Sequence, residues 1–168
     1  MMESAVAQCC ILLFMISTSC SLFCDFETDF CNFEVDTDND YARFLRWSKS
    51  TGRYVSYIPL TDHTYGNSTG RYAFMKTRYS VKDGHLRSPV LTNKNYKCIS
   101  FYYQVTGQPN EVELSILALY NDTDTGSPIW SLKGGRGRVW RKVEVSIPKG
   151  VYKVGCMSGY LINSIVGI

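Results

Sequence analysis

Through the body of the chain, short segments alternate apolar and polar residues with a period of two, and clusters of Gly, Pro, Asn and Asp separate them. In segment 98–105 (CISFYYQV) the alternation sets Cys98, Ser100, Tyr102 and Gln104 on one face and Ile99, Phe101, Tyr103 and Val105 on the other. Segment 112–120 places Val112, Leu114, Ile116 and Ala118 together on one face of a further strand. Its Leu and Ala residues also suit a helix, but the neighbouring strand patterns favour β. Segment 139–147 groups Val139, Arg141, Val143, Val145 and Ile147, and segments 71–76 and 151–156 read as strands too. No stretch of the body sustains an i, i+3, i+4, i+7 stripe. The pattern predicts an all-β fold, a jelly-roll-like antiparallel β-sandwich of one domain. Such a fold offers faces, edges and end loops for contact rather than a preset catalytic cleft.

Ahead of residue 24 the pattern changes. Residues 5–16 read AVAQCCILLFMI without a charge, and the small residues Ser17, Thr18, Ser19 and Cys20 follow. An apolar core of this length ending in small residues has the form of a secretory signal peptide, and it is shorter than the ~20 residues of a membrane span. Glu3 is its one charge; the Lys or Arg usual at a signal's N-terminus is missing. The expectation is a signal peptide over 1–20, cleaved between 19 and 22, and an exported domain over 23–168. No second apolar stretch approaches spanning length, so no membrane span is expected in this chain.

Composition sharpens the picture. A chain of 168 residues fits one domain, and 14% aromatic residues excludes a disordered one. A formal charge of +3 excludes a strongly basic nucleic-acid binder, so no nucleic-acid partner is expected. Of the seven cysteines, leader removal takes Cys9 and Cys10, and Cys20 when cleavage follows it. Cys24, Cys31, Cys98 and Cys156 remain. An even set in an exported protein argues for disulfides, with three connectivities open and proximity favouring Cys24 with Cys31. Zinc lacks a motif, since no CxxC or HExxH occurs and His63 and His85 stand far apart. Asn67 and Asn121 each begin an N-x-S/T sequon within a turn-rich segment, which agrees with export.

Three constellations invite chemistry. Asp25, Glu27, Asp29, Glu34, Asp36, Asp38 and Asp40 form an acidic run; hard cations take six to eight such oxygens, but no EF-hand loop is present, and the residues alone favour a solvated acidic loop. Asp62 and His63 suggest a triad. Neighbouring strand residues face opposite ways, however, and no G-x-S-x-G elbow accompanies them, so a turn in which Asp62 caps backbone N–H groups is expected instead. No catalytic residue is assigned, and the chain is read as a non-enzyme. Lys133, Arg136, Arg138, Arg141 and Lys142 lie beside Trp130 and Trp140. They read as a hairpin turn with solvated arginines, or as a contact for anionic glycan or lipid headgroups. The three tryptophans, Trp47 among them, are expected in the core or on its rim.

A family resemblance now covers nearly the whole body. The CDFE at 24–27 followed by Cys31, the acids before Trp47, and the P-x-x-DHT at 59–64 with Gly70 and Tyr72 resemble the MAM domain. So do Gly84, Leu86, Ser88 and Pro89, then Cys98, Phe101, Tyr103 and Gly107, then Trp130, Gly134 or Gly137, and Trp140. The resemblance implies a β-sandwich module of extracellular receptors and adhesion proteins, whose partners are extracellular proteins, homophilic contact included. It further implies a structural calcium or sodium ion held by Glu27, Asp29 and Asp62. Two other roles accompany it: an accessory non-catalytic domain of a larger extracellular protease or receptor phosphatase, and a glycan- or lipid-binding module using the basic loop 133–142. Family members close with a strand, a pair of acids and a last cysteine that pairs with the one at position 98. Here 163–168 matches only that strand, so the C-terminal end reads as incomplete, and Cys156 is left as the candidate partner of Cys98.

Overall fold

The alternation in 98–105 becomes a strand whose burial follows it as far as Tyr103: Ile99, Phe101 and Tyr103 are buried while Cys98, Ser100 and Tyr102 are partly exposed, and Gln104 of that second face is buried as well. The chain is seen in a computed structural model that describes residues 24–35, 42–48, 59–77, 83–91, 98–106, 112–159 and 165–167. The signal-peptide reading, and Asp36, Asp38 and Asp40 of the acidic run, lie outside the described residues. So does the side chain of Trp47.

Ten strands run through the described residues: β1 (Glu34–Val35), β2 (Ala42–Trp47), β3 (Tyr72–Thr77), β4 (Asp83–Arg87), β5 (Cys98–Gln104), β6 (Glu113–Leu119), β7 (Ser127–Lys133), β8 (Arg141–Ser146), β9 (Lys153–Gly159) and β10 (Ile165–Gly167). They form two five-stranded sheets, ordered β1-β4-β9-β6-β7 and β2-β3-β10-β5-β8, and every pairing is antiparallel. Only β2 to β3 and β6 to β7 stay within a sheet; every other step between successive strands passes to the opposite one. The expected all-β sandwich is therefore the observed fold.

The core lies between the sheets. Ala73 and Met75 of β3 and Ile99, Phe101 and Tyr103 of β5 meet Leu86, Leu114, Ile116, Ala118, Val154 and Cys156 of the first sheet. Full burial of each Leu, Ile, Phe or Met stabilises by roughly 1.5–3 kcal/mol. Trp130 of β7 reaches across, its ring centroid 5.5 Å from both Phe101 and Tyr103 of the other sheet. On the outer side of the first sheet, Lys153 is only 7% exposed. Its ammonium sits 2.9 Å from Glu34 and 3.1 Å from Asp122, tying β1 and the β6–β7 turn across β9. The hydrogen bond it donates to Glu34 above all holds its pKa above the ordinary lysine value, with Asp122 adding to it.

β6 is buried on both faces, Leu117 and Leu119 as well as Leu114 and Ile116. A central strand covered on both sides needs an unbroken apolar run, which is why this sequence suits a helix equally well. At 139–147 the alternation overreaches. The strand begins at Arg141, and Val139 sits in the preceding turn, 62% exposed.

Candidate functional site

Asp62 organises the loop 59–70 that lies over the outer side of the second sheet. Its side chain is 2% exposed. Oδ2 accepts the Tyr65 N–H at 2.6 Å, Oδ1 accepts the Asn67 N–H at 2.9 Å, and the Asp62 N–H donates to the Asn67 carbonyl at 2.9 Å. Gly70 passes so close that a Cβ there would fall on the Asp62 carboxylate. Next in the chain, Arg71 donates its N–H to both oxygens of Glu27 at 3.1 Å, fastening the opening CDFE segment to β3. Burial raises the Glu27 pKa; the Arg71 N–H opposes this, and the charges of Asp62 and Asp25 reinforce it. Burial likewise raises that of the Tyr72 phenol, with Asp62 adding to the effect.

The expected cation trio is not assembled. Asp29 is exposed and turns its Oδ1 to the Cys31 N–H at 2.6 Å, while both oxygens of Asp62 and of Glu27 already accept backbone N–H groups. Among the described residues, no group of three or more His, Cys, Asp or Glu side chains is placed to hold a metal. Glu27 and Asp62 lie near enough to influence each other; the trio as a whole does not fit a calcium or sodium site.

His63 packs on aromatic rings. Its ring stacks on Tyr102 of β5 at a centroid distance of 3.3 Å and meets the Trp140 ring edge-on at 6.1 Å. Trp140 donates Nε1–H to the Thr61 carbonyl at 2.9 Å and covers Tyr72. Partial burial holds the His63 imidazole below its ordinary pKa; the Asp62 charge opposes this and Lys142 adds to it. With Asp62 bonded to backbone and His63 bonded to aromatic rings, the two do not form an acid–base relay. The result is an aromatic platform of His63, Tyr102 and Trp140; Leu60 and Tyr65 of the same loop as His63, and Val139 next to Trp140 in the chain, are exposed. The signal that could have located it is Tyr102 itself, an aromatic in the outward register of β5. Its neighbours come from chain segments far apart, which periodicity does not connect.

Cys24 and Cys31 form a disulfide with Cα atoms 5.7 Å apart. The Cys98–Cys156 pairing is not formed. Cys98 lies in the partly exposed register of β5, while Cys156 is a buried free thiol in β9 of the opposite sheet. Cys98 is itself disulfide-bonded, and its partner lies outside the described residues. Burial pushes the Cys156 thiol up to about 12. Iodoacetamide at pH 8 is therefore expected to leave Cys156 unmodified in the native protein and to alkylate it promptly in denaturant. Peptide mass mapping that finds rapid native labelling at Cys156 would contradict its placement in the core.

Both sequons adopt one geometry. The Thr69 hydroxyl donates to Asn67 Oδ1 at 2.7 Å and the Thr123 hydroxyl to Asn121 Oδ1 at 2.8 Å, each in an exposed turn.

The model of the family described as MAM domain, meprin/A5/mu, matches residues 24–158. The chain belongs to the MAM domain family. Relatives of this MAM domain include MAM domain-containing glycosylphosphatidylinositol anchor protein 1 of Gallus gallus, 30% identical over 139 residues, which cover 78% of this chain and 14% of that protein. The anchor protein 2 of Mus musculus is 31% identical over 140 residues, 74% of this chain and 14% of its own length. Thyroid hormone-induced protein B of Xenopus laevis is 28% identical over 130 residues, 75% of this chain and 18% of its own length. The chain thus spans less than a fifth of these relatives. Among solved structures, the K2 cleaved adhesin domain of Lys-gingipain superposes with a TM-score of 0.55 at 18% identity, covering 80% of this chain and 85% of that one, a likeness of fold. The MAM domain is an extracellular one, and no helix among the described residues is long and apolar enough to cross a membrane.

Proposed function

We propose that this MAM domain is a non-catalytic module for contact with other extracellular proteins. Its contact surface is the end of the second sheet where loop 59–70 meets the turn before β8. The observation that supports this most directly is the placement of Leu60, Tyr65 and Val139, which are 59%, 63% and 62% exposed. The Trp140–Thr61 hydrogen bond joins the chain neighbours of Val139 and Leu60. Exposed large apolar groups on one rim, with a rigid aromatic platform behind them, are the composition of a contact patch. The polar groups that might have done chemistry there, Asp62 and His63, are engaged in holding the loop.

Export belongs to the same reading: the leader 1–20 is removed, and Asn67 and Asn121 carry N-linked glycans, supported by their exposed turns and the Thr hydroxyls beside them. A test coats beads with the mature domain. Homophilic contact clumps the beads; heterophilic contact attaches them to cells, and protease treatment of the cell surface abolishes the attachment. In either case, Leu60→Ser with Val139→Ser is expected to weaken binding about tenfold or more, as for anchors of an interface core. Binding indifferent to both substitutions sinks the proposed surface, and hydrolytic turnover by the purified chain would overturn the non-catalytic reading.

A further inference from the structure

We infer that the turn 134–140 and the start of β8 form a binding site for a sulfated polysaccharide chain. Arg136, Arg138, Arg141 and Lys142 are all exposed. Among the described residues none of them forms an ion pair, whereas Lys133 pairs with Glu113 and Lys153 with Glu34 and Asp122. Lys149 also stands exposed without a carboxylate among the described residues, but alone; what sets this turn apart is four such cations within seven residues. The next acid along the chain, Glu144, stands opposite Ser100 across the sheet and pairs with none of them.

The turn is held rather than loose. Gly134 donates its N–H to the Val112 carbonyl at 2.9 Å and Arg136 to the Val105 carbonyl at 2.8 Å, fixing the first half of the turn to the sandwich, and the Trp140 indole bond to Thr61 holds its far end. Gly137 takes φ of 83°, a conformation that lets the turn reverse between Arg136 and Arg138 and that other residues adopt at a cost. Arg141 Nη2 reaches the Arg136 backbone carbonyl at 3.4 Å, which ties the Arg141 guanidinium to the turn. Beside them lie the platform rings, with the Lys142 ammonium 5.9 Å from the centre of Tyr102.

Spaced guanidinium forks suit sulfate groups, because each fork presents paired N–H donors to two oxygens of one anion. A flat aromatic surface next to them suits the apolar face of a sugar ring. A polyanion also gains from displacing counterions at every cation it meets, which makes the binding salt-dependent. The site adjoins the apolar contact patch without depending on it. Its residues are the cations, and the protein-contact reading could fail while this one stands.

The test uses the mature glycosylated domain and size-defined heparin oligosaccharides, with affinity measured across a salt series. Binding at about 0.15 M salt is expected, with Arg136→Ala plus Arg138→Ala lowering affinity roughly tenfold and reducing the log–log salt slope by about two. Lys142→Ala, in the edge strand, acts as an independent single variant that should reduce the slope by about one. Lys149→Ala, in the turn that follows β8, should leave heparin affinity unchanged. Melting temperatures of the variants confirm that each remains folded. Equal binding of desulfated heparin, equal loss with Lys149→Ala, or no binding at all overturns the proposal. So does capture by phosphatidylserine vesicles without heparin binding, which would assign these cations to lipid headgroups.

Discussion

Asp62→Ala should destabilise the domain by about 2–4 kcal/mol, because two backbone N–H groups, those of Tyr65 and Asn67, lose a buried charged acceptor at once. Gly70→Ala should cost about 3 kcal/mol by a different route, since the new methyl group falls on that same carboxylate and the loop must move to admit it. The two costs share one cause and should not add. In the Asp62→Ala background the carboxylate is gone, the backbone at 70 is not in the left-handed region, and Gly70→Ala should then cost well under 1 kcal/mol. Urea unfolding of the four-member cycle reads this directly. Additive losses would mean that the loop is not organised around the Asp62–Gly70 contact. Loosening it should also release the His63–Tyr102 stack, so that in Gly70→Ala, which keeps the Asp62 charge, the His63 imidazole titrates closer to its ordinary value in NMR. The loop is thus the place where stability and the proposed contact surface meet. The same carboxylate that caps Tyr65 and Asn67 sets the position from which Leu60 and Tyr65 face solvent.

Strands were legible where one face is buried and the other is not. β5 announces itself by alternation because Ile99, Phe101 and Tyr103 fill the core while Ser100 and Tyr102 face out. β6 was legible as an apolar run but ambiguous in type, because burial on both faces erases the period of two. β7 escaped notice: Pro128 lies within it, and only an edge strand with a free side tolerates a proline, as its terminal place in the first sheet allows. β4 is a five-residue strand, DGHLR, with little apolar content of its own, and takes its form from pairing with β9 and β1. The site was legible in its ingredients and not in its assembly. Asp62 could be read as a cap because its neighbours in sequence are its donors. The acidic run could not be resolved, because Asp29 turns to the Cys31 N–H and Glu27 to a backbone group 44 residues away. Convergence of His63, Tyr102 and Trp140 likewise depends on which strands become neighbours, and the Cys98–Cys156 pairing failed for the same reason. Those two cysteines belong to different sheets and to unlike positions relative to the core.

Phe101→Ala should be the most destabilising single change in the core, at about 3–5 kcal/mol. Phe101 is wholly buried in β5 and meets Trp130 of the opposite sheet edge-on, with centroids 5.5 Å apart and planes at 83°. Removing its ring costs the transfer energy of the buried surface and leaves a cavity against a rigid indole held by a second neighbour, Tyr103. Since a domain of this kind is stable by only 5–15 kcal/mol, such a loss takes a large part of the margin that holds the two sheets together. Phe101→Leu keeps most of the volume and should cost much less, about 1–2 kcal/mol. The pair Phe101→Ala and Trp130→Ala should show a coupling of about 0.5–1.5 kcal/mol beyond buried area, since the contact is an oriented aromatic pair. Thermal or urea unfolding of this set decides the matter. If Phe101→Ala cost less than about 1 kcal/mol, or the two substitutions added without coupling, the closure of the sandwich through the Phe101–Trp130 contact would have to be abandoned. The contact surface would then lose its footing as well, because Tyr102, on which His63 stacks, is held in place by the strand that Phe101 anchors.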